Sequence, residues 1–127
     1  MNEWRTPIRC YVSPAGNNLV ADWYEGLSVQ AQSDAYEFLK NMRKTREWKM
    51  PDYRPRLGGN PGLGELRWRS ENKQYRILGF FKDGCWQALV GCIHKGQAYN
   101  PREALETAKR YKRQVEQGGA VTVEYDF

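Results

Sequence analysis

One histidine, His94, and three cysteines, Cys10, Cys85 and Cys92, are all the soft metal ligands in this 127-residue chain. The cysteines are odd in number and far apart, with no Cys-x-x-Cys pair. Neither a zinc site nor a disulfide framework is therefore expected, and the thiols read as reduced and buried. No cofactor motif is found either. No apolar run approaches the roughly 18 residues of a membrane-spanning helix. The start, Met1-Asn2-Glu3-Trp4-Arg5, has no apolar stretch behind a basic segment, so a secretory signal is not expected and a cytoplasmic location is the default. Internal repeats are lacking as well. The length predicts one domain over 1–127, with its core over about 8–117 and a tail over 118–127.

What the chain does have is unevenly placed positive charge. The net charge is +5, but residues 40–82 hold 12 Lys/Arg against 4 Asp/Glu, and the rest of the chain is net acidic. Arginine leads in this stretch, with Arg43, Arg46, Arg54, Arg56, Arg67, Arg69 and Arg76. Its planar fork suits phosphate, and a concentrated basic segment points to a polyanion such as nucleic acid. The plain alternative is a solvated face. Lys40, Arg43, Lys44 and Arg46 also fall near a helix C-terminus, where cations need no ligand.

The pattern predicts an α+β fold. Ile8–Val12 reads as a strand. A helix starts at the N-cap Asn18 and ends at Gly26. A longer one over about 28–47 carries Ala31, Ala35, Phe38, Leu39 and Met42 in one apolar stripe. The Pro- and Gly-rich stretch 50–64 reads as loop. Strands follow over 66–69, 74–82 and 85–93, the last two joined by the hairpin turn Asp83-Gly84. Asn100-Pro101-Arg102-Glu103 predicts a final helix with Asn100 as N-cap, Pro101 at its first position and Glu103 closing a capping box. Val121, Val123, Tyr125 and Phe127 alternate as in a strand that extends a sheet edge, in this molecule or another.

Register converts the strands into a candidate site. About Asp83-Gly84, Phe81 is expected opposite Trp86, Ile77 opposite Val90, Tyr75 opposite Cys92 and Arg76 opposite Gly91. About Glu71-Asn72, a two- or four-residue loop alike puts Trp68 opposite Tyr75, Leu66 opposite Ile77 and Arg67 opposite Arg76. One face is then apolar and should meet the two N-terminal helices. The other carries Arg67 beside Arg76, flanked by Arg69 and Gln74. Leu78, Phe80, Leu89 and Ile93 further along it are expected to hold the last helix. Two facing arginines destabilise a sheet unless an anion lies between them. The expectation is a phosphate, with Gly91 leaving room for its approach. The plain alternative is that Glu65 and Glu71 neutralise the pair.

The segments Gly64-Glu65-Leu66-Arg67, Gln74-Tyr75-Arg76-Ile77-Leu78 and Ile93-His94-Lys95-Gly96-Gln97, followed by Pro101-Arg102-Glu103 and Ala108, resemble the RelE/ParE toxin superfamily. They are most similar to its HigB-like, phage-derived branch, over residues 8–117 or so. Gly64 stands where an aromatic is common there, and His94 where another lysine often stands. The resemblance implies two N-terminal helices packed on a twisted antiparallel sheet of about four strands, with a C-terminal helix. It implies the toxin of a type II toxin–antitoxin pair, an endoribonuclease that cuts mRNA on the ribosome without a metal and so inhibits translation. It also implies a cognate antitoxin, often a helix-turn-helix protein, with the toxin a monomer or part of a toxin–antitoxin hetero-oligomer. The ParE branch shares the pattern yet acts on gyrase, and a nucleic-acid-binding protein without catalysis is a third reading.

Self-cleavage of RNA by its 2′-OH needs a base, charge stabilisation and an acid. Arg67 and Arg76, reached by both register and resemblance, suit charge stabilisation. Lys95, carried over from the resemblance, suits the same task or that of the acid. His94 is the one side chain that titrates near neutrality unperturbed and is a catalytic candidate; strict alternation puts it on the core side, a strand end can turn it outward, and the resemblance does not identify the base. Arg69, Gln74, Tyr99, Arg54, Arg56 and Lys73 are the expected RNA contacts, with Tyr99 suited to stacking on a base.

Overall fold

The computed structural model describes residues 4–127. Three helices lie on the two faces of a seven-stranded, mostly antiparallel open sheet. The elements in order are β1 (Ile8–Val12), α1 (Leu19–Glu25), α2 (Val29–Lys44), β2 (Tyr53–Arg54), β3 (Gly64–Ser70), β4 (Lys73–Lys82), β5 (Cys85–Lys95), β6 (Ala98–Asn100), α3 (Ala104–Glu116) and β7 (Val121–Glu124). The sheet order is β2-β3-β4-β5-β1-β7. β6 shares the outer edge of β5 with β1: β1 runs parallel to Trp86–Ala88, and β6 antiparallel to Ile93–Lys95.

Local chemistry sets the helix starts. The Asn18 side chain accepts from the Ala21 N–H at 3.0 Å, and the Ser28 hydroxyl accepts from the Ala31 N–H at 3.1 Å. The stripe of α2 then buries Ala31, Ala35, Leu39 and Met42 against Leu66, Ile77, Trp86 and Ala88 of the sheet. α3 covers the other face, with Ala104, Ala108 and Val115 on Leu78, Phe80, Leu89 and Cys92. Each large apolar side chain so buried stabilises the fold by roughly 1.5–3 kcal/mol.

Three expectations need correction. The sheet has seven strands rather than about four, because β2 and β6 are two and three residues long, too short to show a period of two. The terminal strand does form, and in the same molecule: β7 pairs antiparallel with β1, Tyr11 opposite Thr122.

The final helix begins at Ala104 with Glu103 at its N-cap, and no side chain caps it. Asn100 is drawn instead into β6, opposite Ile93.

The β3–β4 register is as expected, from Arg69 opposite Gln74 to Leu66 opposite Ile77. The β4–β5 register holds only near its turn. Leu78 faces Val90 but Gly79 faces Ala88, so Leu89 is an extra residue in β5. Beyond it Ile77 lies opposite Gly91, Arg76 opposite Cys92 and Tyr75 opposite Ile93. The bulge sits where Gly79 lies so close to the Gln87 carbonyl and the Trp86 ring that a Cβ would overlap both. As a result Ile93 joins the core under α1 and α2, whereas Cys92 joins the one under α3.

Candidate functional site

The hairpin β3–β4 builds the floor of the site. Both central residues of its turn take left-handed backbone, Glu71 at φ 52° and Asn72 at φ 61°, which closes a two-residue loop and fixes Arg67 directly across from Arg76. The answer to their repulsion is internal. Glu65 is 2% exposed, and its Oε1 lies 3.4 Å from Arg67 Nε and 3.7 Å from Arg76 Nε. Its Oε2 accepts from the Tyr99 hydroxyl at 2.5 Å. One buried carboxylate thus offsets two guanidiniums, as a buried charge must be paired to be tolerated. The expected phosphate is not needed to hold the pair together.

The two arginines differ in what they leave free. Arg76 is 4% exposed and donates to the Tyr75 carbonyl at 2.8 Å and to Gln74 Oε1 at 2.7 Å, so its orientation is locked. Arg67 is half-buried and reaches Met50 Sδ at 3.3 Å, a weak partner that a stronger acceptor can replace. Its Nε makes no hydrogen bond, so its attraction to Glu65 is one of charge rather than of aligned geometry.

An open cleft of about 360 Å³ lies where β2 ends and β3 becomes the sheet edge, lined by Pro51, Asp52, Arg67, Trp68, Arg69, Gln74 and Arg76. Arg69 is exposed at its mouth. One strand further in, His94 faces Gln74 on one side and Tyr99 on the other, with the His94 and Tyr99 rings 5.2 Å apart, edge to face.

The bulge is what brings His94 here. Alternation through Cys92 turns it to the Arg76 face, whereas the unbulged register sends it to the core. Burial, and then the charges of Arg76, Arg67 and Arg54 against the opposing pull of Glu65, hold its pKa below the usual 6.5. The imidazole is therefore neutral at neutral pH and free to accept a proton. Tyr99 is the reverse case: burial and its bond to Glu65 push the phenol far up, so it stays protonated.

The face therefore assembles Arg67, Arg69, Gln74, Arg76, His94 and Tyr99, with Arg54 exposed opposite Glu65 on β2. It does not assemble the remaining expected residues. Lys95, the exposed last residue of β5, follows His94 and so turns to the opposite face. Lys73 is exposed opposite Ser70 and alternates with Gln74, again away from the arginines. Arg56 is exposed in the loop, with a left-handed φ of 55°. Gly91 makes no room for a phosphate, because it faces the other side, where a Cβ would overlap the Trp23 indole.

Glu65 is the residue that sequence reasoning undervalued. Its spacing of two from Arg67 was the available signal, since it puts both on one face of one strand. Its neighbour in that reading, Glu71, pairs instead with the Ser28 hydroxyl. Among the described residues, no group of three or more His, Cys, Asp or Glu side chains stands close enough to hold a metal ion.

Residues 22–113 match the family described as phage-derived protein Gp49-like (DUF891). A search of the curated proteins finds no match, and neither does a search of the solved structures. With most of its length matched, arginine-lined face included, the chain belongs to the phage-derived Gp49-like family, a RelE-toxin-like family.

Proposed function

We propose that the chain is the toxin of a type II toxin–antitoxin pair, of the HigB-like branch, and that it cuts mRNA on the ribosome by metal-independent attack of the 2′-OH. The observation that supports this reading most is a neutral imidazole, His94, on the same sheet face as Arg67 and Arg76, beside an open cleft.

In this reading Arg69 and Arg67 hold the scissile phosphate by its non-bridging oxygens. Arg76, locked beneath them, adds fixed positive charge where the pentacoordinate state gathers negative charge, and such preorganised charge costs no reorganisation during the reaction. His94 takes the proton of the 2′-OH, whose oxygen attacks phosphorus to give a cyclic phosphate. The leaving 5′ oxygen takes its proton from water, since Lys95 stands apart and Tyr99 is committed to Glu65. Gln74 links the two halves of the site, facing His94 across the sheet while its Oε1 holds Arg76. The partner that silences it is an antitoxin, a helix-turn-helix protein in this reading.

Expression without the antitoxin tests it. The expected outcome is growth arrest with mRNA cut during translation, mapped by primer extension, and loss of both in His94→Gln. Arrest with intact transcripts that depends on gyrase would favour the ParE-like reading. Binding to nucleic acid without arrest would favour a non-catalytic protein.

A further inference from the structure

At the other end of the sheet from the cleft, α2 and the segments before β1 and after β7 enclose a second hollow, of about 320 Å³. Its walls carry Arg5, Lys40, Arg43 and Lys44 beside the Asp126 side chain and Phe127. Tyr36, Lys40, Arg43 and Lys44 fall at i, i+4, i+7 and i+8, a single stripe of α2 on the flank away from the sheet core. The helix C-terminus attracts cations, and that accounts for a basic last turn. It does not account for Arg5, which comes from a different segment. Nor does it explain Arg43, which is 7% exposed, whose side chain makes one hydrogen bond, to the Tyr125 carbonyl at 3.0 Å, and whose guanidinium otherwise lies 5.6 Å from the centre of the Phe127 ring. Among the described residues, no carboxylate lies within ion-pair distance of it.

An aromatic face stands among these cations. Tyr36 is 40% exposed with Lys40 Nζ 6.0 Å from its ring centre. Large aromatics left in water beside clustered cations are what a chain with both phosphates and flat bases requires. An acidic polypeptide would match the charge as well, and competition between the two polyanions separates them.

We propose that this hollow is a second phosphate-binding site, which takes the backbone of single-stranded RNA while Tyr36 offers a stacking face to a base. The inference shares the RNA partner of the toxin reading but does not depend on cleavage. It gives the molecule two RNA contacts at opposite ends of its sheet.

The test is fluorescence anisotropy of the full chain with a 2′-O-methyl RNA oligomer of about 12 nucleotides, which cannot be cut. Lys40→Glu with Lys44→Glu, both exposed positions, should raise Kd about tenfold or more and make the salt dependence shallower by about 1.4 in log–log slope. Lys40→Gln with Lys44→Gln, which puts no new charge at the helix end, should show a smaller loss in the same direction. Tyr36→Ala should weaken binding about fivefold. Unchanged Kd in the double variants, with circular dichroism intact, would overturn the site. So would competition by polyglutamate equal to that by RNA of the same charge. A chain that never cuts RNA yet loses the oligomer in these variants would sink the toxin reading and leave this site standing.

Discussion

At the residue scale the decisive group is Glu65, because it alters what the arginines do. Two unpaired guanidiniums would make Arg76→Ala a relief, with stability unchanged or slightly raised. With Glu65 buried against both, the sign reverses. Removing Arg76 leaves a carboxylate at 2% exposure with Arg67 and Tyr99 as its remaining partners. Breaking a buried pair by deleting one member typically costs about 3–5 kcal/mol. Arg76→Ala is therefore expected to lose stability on that scale in urea denaturation, as well as toxicity. Arg69→Ala, which touches only the cleft mouth, should lose activity and keep its midpoint. Equal midpoints for the two variants would show that Glu65 does not depend on Arg76.

His94 carries a prediction in pH. Its folded pKa lies below 6.5, so over the window between the two values the unfolded chain binds the proton and the native one does not. The stability contributed by the neutral ring is present above 6.5 and is lost as pH falls through the folded pKa. NMR titration of its ring protons should give a midpoint below 6.5, and cleavage should rise through that same midpoint as the base becomes free. His94→Gln should reduce the rate by on the order of a hundredfold or more and remove that limb of the profile. A midpoint above 6.5 would contradict the site's electrostatics.

At the scale of elements, β7 and the residues after it close the sheet's far edge. β7 pairs with Arg9–Val12, the Tyr125 hydroxyl donates to Glu25 Oε1 at 2.7 Å, and Phe127 meets the Tyr24 ring edge to face at 5.2 Å. Truncation after Gly119 would uncover the unpaired edge of β1, a template for pairing with other chains. The expected result is a melting temperature lower by about 5–10 °C and a concentration-dependent rise in light scattering. A truncated chain that melts unchanged and stays monomeric would show that β1 is a self-sufficient edge.

The elements also divide what was legible. Ile8–Val12, the cap at Asn18, the start of α2 near Ser28 and the hairpin turns at Glu71-Asn72 and Asp83-Gly84 depend on residues within a turn or two of each other. The bulge at Leu89 answers to the crowding of Gly79 by Trp86 and the Gln87 carbonyl, and the burial of Glu65 to a tyrosine 34 residues away. Neither has a local signature.

For the whole molecule, the positive charge lies at both ends of the sheet, in the cleft at the β3 edge and in the hollow beside α2. If arginines alone supply the charge that stabilises the transition state, cleavage on intact ribosomes should be the same after the toxin is treated with a chelator. Activity lost to the chelator and restored by a divalent ion would overturn that.

The amino-acid sequence alone determined the α+β class, the starts of the first two helices, the two hairpin turns, the Arg67–Arg76 pairing and the basic character of the middle of the chain. The charge is a matter of composition, and the others follow from periodicity, caps or turn dihedrals, which act over a few residues. Tertiary structure alone decided that His94 shares a face with those arginines, that Lys95 does not, and that Glu65 is their counter-ion. The physical reason is the period of a strand. One inserted residue reverses the facing of everything beyond it, and whether a bulge forms is settled by packing against groups that the local chain does not contain.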